Sequence, residues 1–171
     1  PGLIIDYYAG TAVIQSHSIG MHYAKENIVK ALKNVFGTVL KAIFDKSSDT
    51  LPKNGPVQVE DHYIYQSEGY SSIGLEHGCQ FKIDWEQGQK TGFFIDQREN
   101  RALLGSYSKG KTVLNTFCYT GGFSLAALNS GATHVDSVDA SARAIDLTDE
   151  NVELNGFSKN HGSFAIDTFK F

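Results

Sequence analysis

The sequence has no excess of positive charge: 15 Lys and Arg stand against 19 Asp and Glu, a formal charge of -4. No global field therefore draws the chain toward a phosphate backbone, and any nucleic-acid site has to be local. Long apolar runs are missing as well. Stretches such as Leu3 to Ile5 and Ala12 to Ile14 fall far short of the roughly 20 residues that cross a bilayer, which predicts a soluble chain with no membrane partner. Cysteine is scarce. Cys79 and Cys118 are distant, form no CxxC, and follow no charged and apolar leader, so a reducing, cytoplasmic setting is expected. A hydrophobic content of 41% with 20% charge excludes disorder and collagen, and 171 residues make one ordinary domain or two small ones.

The first half reads as a small α+β module. Leu3 to Tyr8 and Ala12 to Gln15 are β-rich runs around a Gly-containing connection, a hairpin. From Tyr23 to Phe36 the apolar residues Ile28, Leu32, Val35 and Phe36 recur at helical spacing, with Gly37 placed to end the helix. Val39 to Phe44, Val57 to Gln66 and Gln80 to Trp85 are strand candidates, with loops at Asp45 to Gly55 and around Gly69 to Gly74. The opening Pro1-Gly2 and the uncapped close at Phe171 read as those of a segment from a longer protein.

After Gly88 the rhythm changes. Phe93 to Ile95 is a short apolar strand candidate, followed by a polar helical start at Asp96 to Arg101. Thr112 to Asn115 is a strand, Thr120-Gly121-Gly122 opens a helix from Phe123 to Asn129, and His134 to Asp139 is the next strand. Ser141 can cap a helix running to about Asn155, with Gly156 beyond it, and Phe164 to Asp167 is a third strand. This βαβαβ order is half of a doubly wound parallel sheet. The fold class is therefore α/β, with a first domain over 1–88 and a Rossmann-like half-sheet, apparently truncated, over 89–171. Such a half-sheet exposes a parallel edge and apolar faces, so association with a partner, a homodimer included, or disorder is expected.

Ligands of such sheets sit beyond the carboxyl ends of the strands, here Asn115, Asp139 and Asp167. The turn from Thr116 to Phe123 lets backbone approach a ligand and aims helix amides at it. A carboxylate at Asp139 can accept both ribose hydroxyls, and one at Asp167 can accept from an adenine amine beside Phe169. Together they describe an adenosine pocket; the alternative is that these residues only terminate strands and turn the chain. The G-x-G-x-x-G spacing of dinucleotide sites is absent, and the bulky Phe117 and Tyr119 suit a ligand with no phosphate to cradle. S-adenosylmethionine fits that description, so a methyltransferase is favoured over an oxidoreductase.

Lys90-Thr91-Gly92-Phe93-Phe94-Ile95-Asp96-Gln97-Arg98, with Asn100-Arg101, and then Val113 to Phe123 carry a specific resemblance. With Ser137-Val138-Asp139, Ser141, Asn151 and Asn155-Gly156 following in order, the second half resembles the bacterial and archaeal cytosine carbon-five methyltransferases of large-subunit ribosomal RNA. The first half is similar to the central domain of that family, more weakly, with Glu76-His77-Gly78 near its end. The resemblance implies an RNA-binding PUA domain upstream, S-adenosylmethionine as methyl donor and ribosomal RNA as partner. It places Phe117, Tyr119, Thr120 and Gly121 on the methionine side, Asp139 at the ribose and Asp167 at the adenine, with Gln97 and Arg98 beside the site, while Asn115 is a cofactor-binding candidate from its place at the strand end. Arg98 either forks onto a carboxylate or an RNA phosphate, or braces the fold as an ion pair.

Carbon-five methylation needs a cysteine thiolate that adds to the neighbouring ring carbon, and the family carries it further downstream than these residues. Cys118 is expected to pack beneath the ligand rather than attack a base, and Cys79 to pack in the core. His17, His22, His62, His134 and His161 show no ligand spacing and receive no role. The competing functional readings are a non-catalytic RNA-binding or assembly module and a nucleotide-binding oxidoreductase fragment.

Overall fold

The computed structural model describes residues 2–171; Pro1, and with it the reading placed on the first residue, lies outside them. The chain forms two compact units, one comprising the residues up to Gly74 with Ile83–Phe94, the other Leu75–Lys82 with Ile95–Phe171. The units exchange segments between residues 75 and 94, around the single boundary expected at 88.

The first unit is a four-stranded sheet in the order β1-β2-β3-β4. β1 (Leu3–Tyr8) and β2 (Thr11–Ser16) are antiparallel, from Leu3↔Ser16 to Tyr8↔Thr11, around a two-residue turn at Ala9-Gly10. β3 (Ala42–Asp45) runs parallel to β2, and β4 (His62–Gln66) runs antiparallel to β3 with a register shift at Ile43/Phe44. A parallel pair needs a crossover. It is supplied by α1 (Ile19–Tyr23), capped by the Ser18 hydroxyl, and α2 (Lys25–Phe36), closed by Gly37 at φ +52°. Leu32, with Ile28, Val29 and Phe36 around it, packs on Ala12, Ile14, Leu40 and Ile43. The helix expected over 23–36 is thus interrupted at Ala24, and the short α1 before it has no buried residue that periodicity could register.

Three further expectations are corrected. Val57 to Asp61 is not strand, since β4 begins at His62. β5 (Ile73–Glu76) lies in what reads as a Gly/Ser loop and pairs with β6 (Cys79–Lys82) around His77-Gly78, both at positive φ as a tight hairpin turn requires. Phe93 to Ile95 is not a strand either. Gly92 at φ +106° is pressed against the Asp84–Trp85 backbone, and the Phe93 carbonyl accepts from the Tyr8 hydroxyl at 3.2 Å, so Phe93 is buried from a loop.

The second unit holds a three-stranded, fully parallel sheet in the order β7-β8-β9. A 3-10 turn at Ile95–Gln97 leads into α3 (Arg98–Ser108), then β7 (Thr112–Thr116), α4 (Gly122–Asn129), β8 (His134–Asp139), α5 (Ala142–Leu154) and β9 (His161–Ala165). The Ser141 hydroxyl caps α5, and Gly156 follows it at φ +76°. β9 begins three residues earlier than its apolar pattern indicates, because its helix-facing residues are His161, Ser163 and Ala165, in register with Val135, Ser137 and Asp139. α4 and α5 cover that face. Leu114 and Phe164 alternate to the opposite face and are exposed, with the Phe171 ring 4.9 Å from Phe164.

Candidate functional site

The chain leaves β7 through a turn with three left-handed residues in five: Phe117 at φ +57°, Tyr119 at +50° and Gly121 at +77°. A side chain in that region costs on the order of 1 kcal/mol, so the turn must be held. The Cys118 amide donates to the Val138 carbonyl at 3.1 Å and the Tyr119 amide to Asp139 Oδ2 at 2.9 Å. From α5, the Thr148 hydroxyl donates to the Tyr119 carbonyl at 2.9 Å and Asn151 Nδ2 to the Thr120 carbonyl at 3.0 Å. Gly121 is required twice over, since a Cβ there would lie 2.7 Å from Thr148 Cγ2. No side chain caps α4, which leaves its first-turn amides open to an anionic group.

Asp139 ends β8. Its Oδ2 takes the Tyr119 amide and its Oδ1 the Ser141 amide, each at 2.9 Å. A carboxylate oxygen has two acceptor positions, so one on each oxygen remains for hydroxyl donors. β9 is tied to the same place, because the Ile166 amide donates to the Asp139 carbonyl at 3.0 Å. Asp167 follows, its Oδ1 accepting the Phe169 amide at 2.8 Å. Phe169 is 91% exposed and Phe117 65% exposed, yet their centroids are 6.2 Å apart in an edge arrangement. Two open aromatic rings over strand-end carboxylates can border a nucleobase and hold its sugar.

Asn115 is partly buried, with Nδ2 donating to the Ser124 hydroxyl at 2.8 Å, and Thr120 is buried within the turn. The strand ends thus bring together Asn115, Phe117, Tyr119, Thr120, Gly121, Asp139 and, through Phe169, Asp167. Gln97 and Arg98, at the start of α3, have partners of their own. Gln97 Oε1 accepts from Asn100 at 2.8 Å, and Arg98 Nε reaches Glu76 Oε2 at 3.3 Å with half of its side chain exposed. The fork onto a carboxylate is made instead by Arg101, whose Nε and Nη2 donate to Glu76 Oε1 and Oε2 at 2.6 and 2.8 Å. Burial acts to raise the Glu76 pKa, but Arg101 and then Arg98 outweigh it and hold the carboxyl below its usual range.

Cys118 is buried beside Thr148, 3.8 Å from its hydroxyl, and burial pushes its thiol up to about 11. A thiol of that kind is almost wholly protonated at neutral pH and is a poor nucleophile. Cys79 is buried, with its pKa raised by burial and by Glu76, and its Sγ contacts the Leu125 carbonyl at 3.9 Å. No cluster of three or more metal-ligating side chains occurs among the described residues. Several roles escape a sequence reading: those of Thr148 and Asn151 on α5 and of Asn155 just beyond its end, and those of Ser124, Ser137 and His161 beneath the strands. Asn151 and Asn155 also take the Lys82 and Gln80 amides at 2.7 and 2.9 Å, so one helix edge serves both the turn and β6. A polar stripe at 148, 151 and 155 on an otherwise amphipathic helix is the signal that could have found them.

A parallel sheet whose first strand opens into a ligand-facing turn, and whose second ends in a carboxylate bonded to that turn, defines a nucleoside-binding α/β protein. The sequence profile of the S-adenosylmethionine-dependent methyltransferase family matches residues 67–170. The chain belongs to that family. It is 38% identical over 172 residues to the ribosomal RNA large subunit methyltransferase I of Shewanella amazonensis, and 37% identical over 173 residues to that of Aeromonas hydrophila. Each match covers 99% of this chain and 43% of the relative, so the chain spans less than half the length of these proteins. Among solved structures it is similar to a putative S-adenosylmethionine-dependent methyltransferase from Streptococcus mutans, with a TM-score of 0.82 and 29% identity over 99% of this chain and 43% of that one. A putative methyltransferase complexed with S-adenosylhomocysteine gives the same values. No helix among the described residues is long and apolar enough to cross a membrane.

Proposed function

We propose that these residues are the cofactor-binding portion of an enzyme that methylates carbon five of a cytosine in large-subunit ribosomal RNA. The support is the hydrogen bond from the Tyr119 amide to Asp139 Oδ2, which ties the turn after β7 to the carboxylate of β8. Asp139 would take the ribose hydroxyls, Asp167 the adenine amine, and Asn115 with Phe117, Tyr119, Thr120 and Gly121 the methionine end. Gln97 and Arg98 would border the site from the start of α3, the exposed half of Arg98 remaining available to a phosphate. When bound there, S-adenosylmethionine supplies an electrophilic methyl group. The thiolate needed to activate carbon five is assigned to a residue outside these 171, because both cysteines here are buried with raised pKa values.

On the same reading, residues 1–88 form the central domain and 89–171 the first part of the methyltransferase domain of a cytoplasmic protein whose partner is RNA. Titration calorimetry of this chain with S-adenosylhomocysteine and with NAD tests the cofactor. Binding of the former alone is expected, and binding of NAD alone would reject the reading. Methyl transfer to large-subunit RNA by the longer protein, mapped to cytosine carbon five, tests the reaction. Sedimentation velocity tests the homodimer.

A further inference from the structure

A buried chain of hydrogen bonds runs beneath the strand ends. Asn115 Nδ2 donates to Ser124 Oγ at 2.8 Å, Ser124 Oγ lies 2.6 Å from Ser137 Oγ, and Ser137 Oγ lies 2.7 Å from His161 Nε2. At its far end His161 Nδ1 lies 3.8 Å from Asp149 Oδ1. The five residues come from β7, α4, β8, β9 and α5. Ser124 and Ser137 have no exposed surface, and the His161 side chain is 3% exposed, so water does not substitute for any member in between.

Counting protons gives this chain a direction. A neutral imidazole carries one N–H, and the carboxylate of Asp149, 3.8 Å from Nδ1, favours the hydrogen there and leaves Nε2 to accept. Ser137 must then spend its single hydroxyl proton on Nε2 and accept from Ser124. Ser124 in turn must accept from Asn115, and only the amide nitrogen can donate. The carbonyl Oδ1 of Asn115 is thereby left facing away from the network, and among the described residues it has no partner. An imidazolium donates from both nitrogens, so Ser137 then accepts from Nε2 and its own proton, no longer spent there, is free to go to Ser124. Ser124 then keeps its proton for Asn115 Oδ1 or for another acceptor, and Asn115 is no longer held with its NH2 group inward.

We propose that His161 is a positioning residue, which acts through Ser137 and Ser124 to make Asn115 present a hydrogen-bond acceptor to the α-ammonium of the cofactor's amino acid end. This rests on the cofactor reading above. The ammonium is a donor-only group, and the opposite amide orientation would repel it while suiting a carboxylate. Burial keeps His161 below the ordinary histidine range, opposed by Asp149 on α5, reinforced by His134 on β8 and opposed again by Asp136. The acceptor sense of Asn115 is therefore enforced at neutral pH and released only as pH falls through the lowered His161 pKa.

The test combines nitrogen-15 NMR of the His161 ring with calorimetry from pH 8 to pH 5. The ligands are S-adenosylhomocysteine and methylthioadenosine, which lacks the amino acid end. The ring proton is expected on Nδ1 at neutral pH. S-adenosylhomocysteine affinity should fall by between about twofold and tenfold as His161 protonates, tenfold being the size of a fully lost hydrogen bond to a charged group, with methylthioadenosine changing less than about twofold by the same reasoning. His161→Phe should lose a similar factor at neutral pH. His161→Gln, whose carbonyl can accept from Ser137, should restore most of it and abolish the acid dependence. A proton on Nε2, equal acid loss for both ligands, or an acid dependence surviving in His161→Gln would each overturn the role. Failure of the unsubstituted chain to bind either ligand would instead overturn the cofactor reading, while the ring tautomer would still decide the direction of the network.

Discussion

Asp45 and Asp139 occupy the same topological place, each the last residue of a strand with a parallel neighbour, in different units of the molecule. Their surroundings differ. Asp45 is 1% exposed and is closed off by the Lys25 ammonium and the Ser47 hydroxyl. Asp139 is partly exposed and is held by two backbone amides. A carboxylate neutralised by a lysine is finished as a structural element, whereas one oriented by amides keeps its charge and half its acceptor capacity. The same contrast runs through both units. In the first, Tyr8, Thr91 and Asp6 satisfy one another, and Lys46 donates to the Trp85 and Gly88 carbonyls. In the second, polar groups and exposed aromatics gather at strand ends with capacity left over. Position at a strand end is thus only a candidacy; the kind of partner decides whether the residue can meet a ligand.

The comparison breaks most sharply at Asp45. Asp45→Ala strands the Lys25 ammonium, whose side chain is only 15% exposed, and should cost about 3–5 kcal/mol in urea unfolding. S-adenosylhomocysteine affinity in the remaining folded protein should be unchanged; a stability loss under about 1 kcal/mol, the range of exposed pairs, would show the pair to be superficial. Gly121→Ala comes next. Its positive φ and the 2.7 Å approach to Thr148 predict a cost of roughly 2 kcal/mol, and here cofactor affinity should fall along with stability. Of similar size, but dependent on pH, is the effect of Glu76, a carboxylate of the second unit that is closed off like Asp45. Its folded pKa is depressed, so the stability it confers is present above the unfolded glutamate range and is lost as pH falls through the folded value. Glu76→Gln should flatten that acid limb of the stability curve and cost on the order of 2 kcal/mol at neutral pH. An unaltered acid limb would assign it to other carboxylates.

Much of the second unit was legible because its boundaries are written in local chemistry. Ser141 caps a helix, Gly156 follows one, and Gly121 marks a turn that tolerates no side chain. The first unit yielded its hairpin and α2 on the same grounds, but β5 was hidden by glycine and serine, and Phe93 mimicked a strand residue while buried from a loop. β9 misled for a related reason. Phe164 and Ile166 form its apolar pattern but lie on the exposed side, while the residues that face the helices are His161, Ser163 and Ala165. Of the candidate site, the strand-end carboxylates and the turn were readable from position. The clamp from Thr148 and Asn151 and the Ser124, Ser137 and His161 network were not, since they join residues far apart in sequence through bonds that only packing reveals. Arg98 shows the same limit: its charge was visible, but not that Arg101 makes the bidentate bond to Glu76.

The most direct test of the claim that the carboxylate of β8 meets the ligand is calorimetric titration of Asp139→Asn with S-adenosylhomocysteine. The substitution keeps the shape of the side chain but removes its charge and replaces one accepting oxygen by an NH2 group, so that one of the two backbone amides it holds loses its acceptor. Affinity about thirtyfold weaker is the predicted result, with a stability loss of only about 1–2 kcal/mol in urea unfolding from the one backbone amide left without its acceptor. Affinity equal to that of the unsubstituted chain would contradict the account.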